Sequence, residues 1–252
     1  MSREPNGEFF VGYLPQQPPR TAGRVRGTVI AAAAAALALG ALLVAEQEPY
    51  PDAHFEFTQI RDFLGTVQER PVPTLWSARP GDAGRSPSGH VLVAPGKHGA
   101  GMLVRGFEGR DVTLRGKLIW RGGLKMIEVV PGTLAAADSG PGVPPEERLG
   151  RVRLAGEIVD GKCYLGVMNP GEGKVHRDCA ARCISGGAPP ILAVAVEGQP
   201  ARLVMLAGSQ GEALAEPLLD FVAEPVTIEG DLVRHGDQYR LDADLATLRR
   251  DR

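Results

Sequence analysis

Val112-Thr113-Leu114-Arg115-Gly116-Lys117-Leu118-Ile119 is a pattern that the chain writes three times. It returns as Val152-Arg153-Leu154-Ala155-Gly156-Glu157-Ile158-Val159 and again as Val226-Thr227-Ile228-Glu229-Gly230-Asp231-Leu232-Val233. The common form is V-x-[LI]-x-G-x-[LI]-[IV]. Alternation of apolar and polar residues turns one face of a strand to a core and the other to water. The central glycine marks a bulge or sharp coil, which small barrels need at their corners. After the first copy come Trp120-Arg121-Gly122-Gly123 and a second strand from Leu124. After the third come Arg234-His235-Gly236-Asp237 and a second strand from Gln238. Both read as hairpins. The expected fold is mainly β, with two small OB-like β-barrel units.

Working outward, the first unit covers residues 54–134, a Pro/Gly-rich linker 135–150, and the second unit 151–248. Helix signals are few. Residues 211–222 (GEALAEPLLDFV) could hold a short helix despite Pro217, and residues 176–185 another. The whole chain has 252 residues, 33 glycines and 21 prolines, which suits short strands and turns better than a helical bundle. Its net charge of −2 and 5% aromatic content give no basic, aromatic face for phosphates and bases, so no nucleic-acid partner is expected.

The N-terminal part has a different character. Residues 27–45 form an uncharged apolar run, long enough as a helix to cross the ~30 Å hydrocarbon core of a bilayer. Arg20, Arg24 and Arg26 precede it, and Glu46, Glu48 and Asp52 follow it. This asymmetry predicts a cytoplasmic leader (1–26), a transmembrane helix (27–45), a stalk (46–53) and C-terminal units outside the cytoplasm. A cleaved signal peptide is the alternative, although Leu43-Val44-Ala45 fits the small-residue cleavage pattern poorly. The leader carries Phe9-Phe10-Val11-Gly12-Tyr13-Leu14, which suits interfacial burial or docking on a membrane partner.

All three cysteines, with one histidine, lie in residues 160–190 with the spacing C-x12-H-x2-C-x3-C: Cys163, His176, Cys179 and Cys183. A helix over 175–184 would put His176, Cys179 and Cys183 on one face, and Cys163, ending the preceding strand, could join them. Three thiolates and an imidazole are a set that binds zinc, and thiolates equally suit Cu(I) or an iron–sulfur cluster. A structural disulfide is the competing reading, since exported cysteines pair by default. Within a regular helix, Cys179 and Cys183 hold their Cβ atoms ~5–6 Å apart, beyond the ~3.5–4.5 Å of a bridge, so Cys163 would be one partner. A redox-active pair is a third reading.

The segment Lys162-Cys163-Tyr164-Leu165-Gly166, His176, Cys179-Ala180, Cys183-Ile184 and Gly186-Gly187-Ala188-Pro189-Pro190 resembles a segment of uncharacterised exported or membrane-anchored bacterial proteins with small β-barrels. The resemblance covers about 30 residues. It implies a bacterial inner-membrane setting and an association with redox enzymes. The reading that results is a membrane-anchored periplasmic accessory subunit of a redox or electron-transfer complex with a Cys3His metal or cluster site. Its alternatives are a non-catalytic interaction module stapled by a disulfide and a thiol–disulfide protein. No catalytic motif is found. Gly96-Lys97-His98 lacks phosphate-loop spacing and reads as a hairpin turn. His54, His90, His98 and His235 read as loop or surface residues, Glu146-Glu147 as solvated charge in a turn, and Arg249–Arg252 as a frayed tail.

Overall fold

The computed structural model describes residues 19–47, 53–78 and 86–251. The aromatic leader segment and residues 48–52 of the stalk lie outside the described residues. The chain divides into an N-terminal unit and a unit spanning Pro51–Arg252. In the first, helix α1 runs from Pro19 to Ala45. Its Thr21–Ala45 stretch has a mean hydropathy of 2.4 and buries none of its side chains. Among the described residues it is the one helix long and apolar enough to cross a membrane. It starts eight residues before the apolar run, because Arg24, Val25 and Arg26 sustain a helix and Pro19 suits a first turn.

The second unit opens with β1 (Ala53–Phe55), β2 (Arg61–Gln68), β3 (Thr74–Ser77), β4 (Ser88–Ala94), β5 (His98–Gly99), β6 (Asp111–Arg121), β7 (Leu124–Val129) and β8 (Ala135–Ala136). Strand β2 pairs antiparallel with β3, β3 with β4, and β4 runs parallel to β7. Strand β7 pairs antiparallel with β6, and β6 returns to β2. The five strands therefore close a ring, with β1, β5 and β8 added at its edges. The chain then continues with β9 (Glu146–Asp160), helix α2 (Arg177–Ser185), β10 (Pro190–Val196), β11 (Gln199–Gly208), β12 (Pro225–His235) and β13 (Gln238–Arg250). Strands β9, β10, β11, β13 and β12 close a second barrel in the same order, with β11 and β13 as the parallel pair. The mainly β, two-barrel expectation holds.

The repeated glycines explain the closure. In each barrel the two long strands that pair with each other, β2 with β6 and β9 with β12, carry one near the middle. A Cβ at Gly116 would strike Ile127 and the Glu128 carbonyl on β7, and one at Gly230 would overlap the Asp242 carbonyl on β13. A Cβ at Gly156 would overlap the Ala193 carbonyl on β10. A fourth site, Gly65 on β2, abuts the Trp76 carbonyl on β3 in the same relation. Only a residue without a side chain lets the neighbouring strand cross so closely. The two hairpins turn as expected, on Gly122-Gly123 (φ 54° and 89°) and on Gly236-Asp237 (φ 56° at Gly236).

Each barrel has its own core, around Leu75, Leu114 and Ile127 in the first and Ile158, Leu206 and Leu241 in the second. A third core lies between them: Val91, Val93, Ile119 and Met126 of the first barrel meet Val159, Ile191 and Met205 of the second. The Gly236-Asp237 turn clamps this seam. Asp237 accepts from the Gly89 N–H (2.8 Å) and the Ser88 hydroxyl (2.7 Å), and Lys125 pairs with it at 2.7 Å.

Some residues read as solvated are built in. His90 and His235 are buried, and the His235 ring lies tilted against Trp76 in the seam, with centroids 4.4 Å apart. Strand β9 begins at Glu146, inside the expected linker, and Glu146 pairs with buried Arg240 at 2.6 Å. Arg249 and Arg250 extend β13 against Thr227 and Val226, and Arg250 pairs with Glu224. Long-range strand pairing holds all three where local composition suggested a turn or a free end.

Candidate metal centre

The Cys/His segment enters between β9 and β10, after the first strand of the second barrel. The end of β9 is fully enclosed, and Asp160 is 0% exposed. Its carboxylate accepts the backbone N–H of Cys163 at 2.8 Å, which turns the chain into a short wide helical turn over Cys163–Val167. Gly166 lets that turn lie directly on the backbone of β1 at His54. Helix α2 follows, with Asp178 in its first turn and Arg182 in its last, as the helix dipole favours. Its Ala180 and Ile184 pack into the second barrel's core. Cys179 and Cys183, one turn apart, project from α2 toward Cys163.

The three thiols converge. Cys163 Sγ lies 4.0 Å from Cys179 Sγ and 3.9 Å from Cys183 Sγ, and all three sulfurs fall within 4.8 Å of one another. Cys163 and Cys183 are buried, whereas Cys179 is partly exposed. The helix starts at Arg177, so His176 sits at its boundary, and its imidazole turns to Asp160 (Nε2 to Oδ2, 3.2 Å). His176, Asp160 and Cys163 form a second group whose donor atoms lie within 4.8 Å of one another. Of the four expected ligands, the structure brings the three sulfurs together and places His176 beside Cys163, with Asp160 as an additional neighbour. Asp160 carried no sequence signal of its own beyond lying three residues before a cysteine.

A cation from the first barrel completes the site. Lys97, in the turn between β4 and β5, donates to Cys179 Sγ at 2.7 Å and approaches Cys183 Sγ at 3.7 Å. That turn is held from below by Lys162, whose buried ammonium donates to the Ala94 and Gly96 carbonyls (2.8 and 2.7 Å) and pairs with Glu128 at 2.6 Å. It is held from the side by glycine on glycine. The Gly99 N–H donates to the Gly186 carbonyl at 2.9 Å, and neither residue has room for a Cβ. The Gly-Gly that stops α2 therefore also seats the turn carrying Lys97.

Electrostatics follow from this geometry. The hydrogen bond from the Cys163 thiol, with the Lys97 charge nearby, pulls the Cys183 thiol below its ordinary value despite burial. The same hydrogen bond, burial and the Asp160 charge push Cys163 far up. Lys97 is raised by its bond to Cys179. Burial raises the Tyr164 phenol to about 12 while the Arg121 guanidinium, 3.7 Å above its ring, opposes the shift.

No protein-family model matches this chain, and no curated protein matches it in sequence. The site must therefore be read from its own chemistry. Two overlapping groups that share Cys163, one of three thiols and one of Cys163 with a carboxylate and an imidazole, could each hold a metal ion.

Proposed function

We propose that this chain is a membrane-anchored accessory subunit of a bacterial redox or electron-transfer complex, with a single thiolate-bound metal ion outside the cytoplasm. The observation that carries this reading is the sulfur geometry. Ligands ~2.3 Å from one shared ion stand ~3.8–4.0 Å apart, and the two measured edges are 3.9 and 4.0 Å. In a cluster at most two of the three thiolates would share one iron and the third would stand further off, so two such close edges at Cys163 favour one soft ion such as zinc or Cu(I). Cys163, Cys179 and Cys183 would hold it. The Asp160–His176 pair, bordering the Cys163 sulfur, would supply a fourth donor or orient one. Three thiolates around a divalent ion leave a net negative charge, which the Lys97 ammonium offsets.

The charge asymmetry around α1 supports an N-terminus in the cytoplasm and barrels on the far side. The resemblance of the Cys/His segment to exported bacterial proteins supports the inner membrane. The aromatic leader is the docking element for a membrane partner in this reading.

The test is elemental analysis of the full chain, purified in detergent under nitrogen, with a thiol count after chelation. About one zinc or copper per chain and three alkylatable thiols would support the site. Three reduced thiols that take up neither metal on titration would refute it.

A further inference from the structure

Resting on the metal reading, we propose that the site is a peroxide-operated switch in which Cys179, assisted by Lys97, is oxidised and bridges to Cys163, releasing the ion. The three sulfurs are not equivalent. Cys163 and Cys183 are 4% and 1% exposed, while Cys179 is partly open to solvent. Exposed Lys97 directs its ammonium at that one open sulfur, 2.7 Å away. The ammonium that offsets the thiolate charge therefore also stands as a proton donor at the solvent edge of the site. A sulfur that attacks peroxide needs such a donor, because the departing oxygen must be protonated.

The steps balance as follows. The Cys179 thiolate attacks one oxygen of hydrogen peroxide, and the O–O bond breaks. The departing hydroxide takes a proton from Lys97 Nζ and leaves as water. Cys179 becomes a sulfenic acid, oxidised by two electrons, as the peroxide is reduced. Cys163, a thiolate while it ligates the ion, lies 4.0 Å away and then attacks the Cys179 sulfur. The S–S bond forms, and the S–O bond breaks. The second hydroxide leaves as water with a proton drawn from solvent, which also reprotonates Lys97. Cys183 is not the partner, because it stands one helical turn from Cys179 with a Cβ separation too long for a bridge. The disulfide leaves a single thiolate, Cys183, and the ion departs.

The experiment uses the full chain in detergent micelles loaded with zinc. One equivalent of hydrogen peroxide is added, and zinc release is followed with a chromogenic chelator. The expected result is one zinc released per two thiols lost, a Cys163–Cys179 disulfide by peptide mapping, and Cys183 still alkylatable. Compared from the same starting zinc occupancy, Lys97→Met should release the ion to peroxide at least ~tenfold more slowly, and Lys97→Arg should restore much of the rate. Thiol loss without zinc release, a sulfinic acid at Cys179 in place of the disulfide, or Lys97→Met reacting at the unaltered rate would overturn the proposal alone. A chain that takes up no zinc, seen before peroxide is added, overturns the metal reading and this one with it.

Discussion

Gly186→Ala tests how the site is assembled. The backbone at 186 has φ −80°, which any residue adopts, so the substitution carries no conformational penalty of its own. A Cβ there would fall on the Lys97 carbonyl oxygen, which is backbone and cannot rotate away. Overpacking of this kind costs about 1–3 kcal/mol, and the displaced Gly99 N–H to Gly186 carbonyl bond about 1 more. Removing a glycine from the unfolded chain returns about 0.5–1 kcal/mol. The net loss is roughly 2 kcal/mol, or ~6 °C in Tm for a unit of this size. The control is Gly101→Ala, where nothing lies within 4 Å of the added methyl, and a change within ~0.5 kcal/mol is expected. Thermal unfolding followed by tryptophan fluorescence would measure both. Equal Tm values for the two variants would refute the argument that the β4–β5 turn is pressed onto the end of α2.

Three other outcomes are expected. Burial holds the His235 imidazole below its ordinary range, with the Pro144 carbonyl and Glu146 only partly opposing it. The unfolded state then binds the extra proton, so stability is full above the ordinary histidine value and falls as pH drops through it; denaturant midpoints at pH 7.5 and 5.5 should show the loss, and His235→Gln should lessen it. Arg240→Met would leave Asp242, 5% exposed, without its 2.7 Å partner and should cost about 3–5 kcal/mol by urea unfolding; a cost under 1 would contradict the network. Lys162→Met removes the nearer of the two cations at Glu128 and the donor to two carbonyls, so limited proteolysis should cut the β4–β5 turn faster, and unchanged cleavage would count against Lys162 as its anchor.

Much of this architecture could be read from residues in order. The glycine in V-x-[LI]-x-G-x-[LI]-[IV] located β6, β9 and β12 because close strand crossing excludes any larger residue there. The equivalent strand β2 escaped notice because Arg61 and Phe63 stand where the other copies carry valine and leucine or isoleucine. The convergence of Cys179 with Cys183 followed from helical spacing alone. Lys97 did not, because it lies 82 residues from Cys179 and meets it only when the two barrels dock. The histidine was expected on the face of α2, but α2 begins one residue after it, and a buried carboxylate takes its ring nitrogen. A buried acid demands a partner, and that demand appears only once burial is known.

The shared core between the barrels has a consequence for how the protein can be divided. Val91, Ile119 and Met126 on one side pack against Val159, Ile191 and Met205 on the other. Either half made alone would present a sticky apolar face to water. A nick in the proline-rich connection at 141–145 would thus leave two fragments that remain mated without a covalent link. Separately synthesised halves would find each other and reconstitute the unit, and only such a pair could bring Lys97 to the thiols.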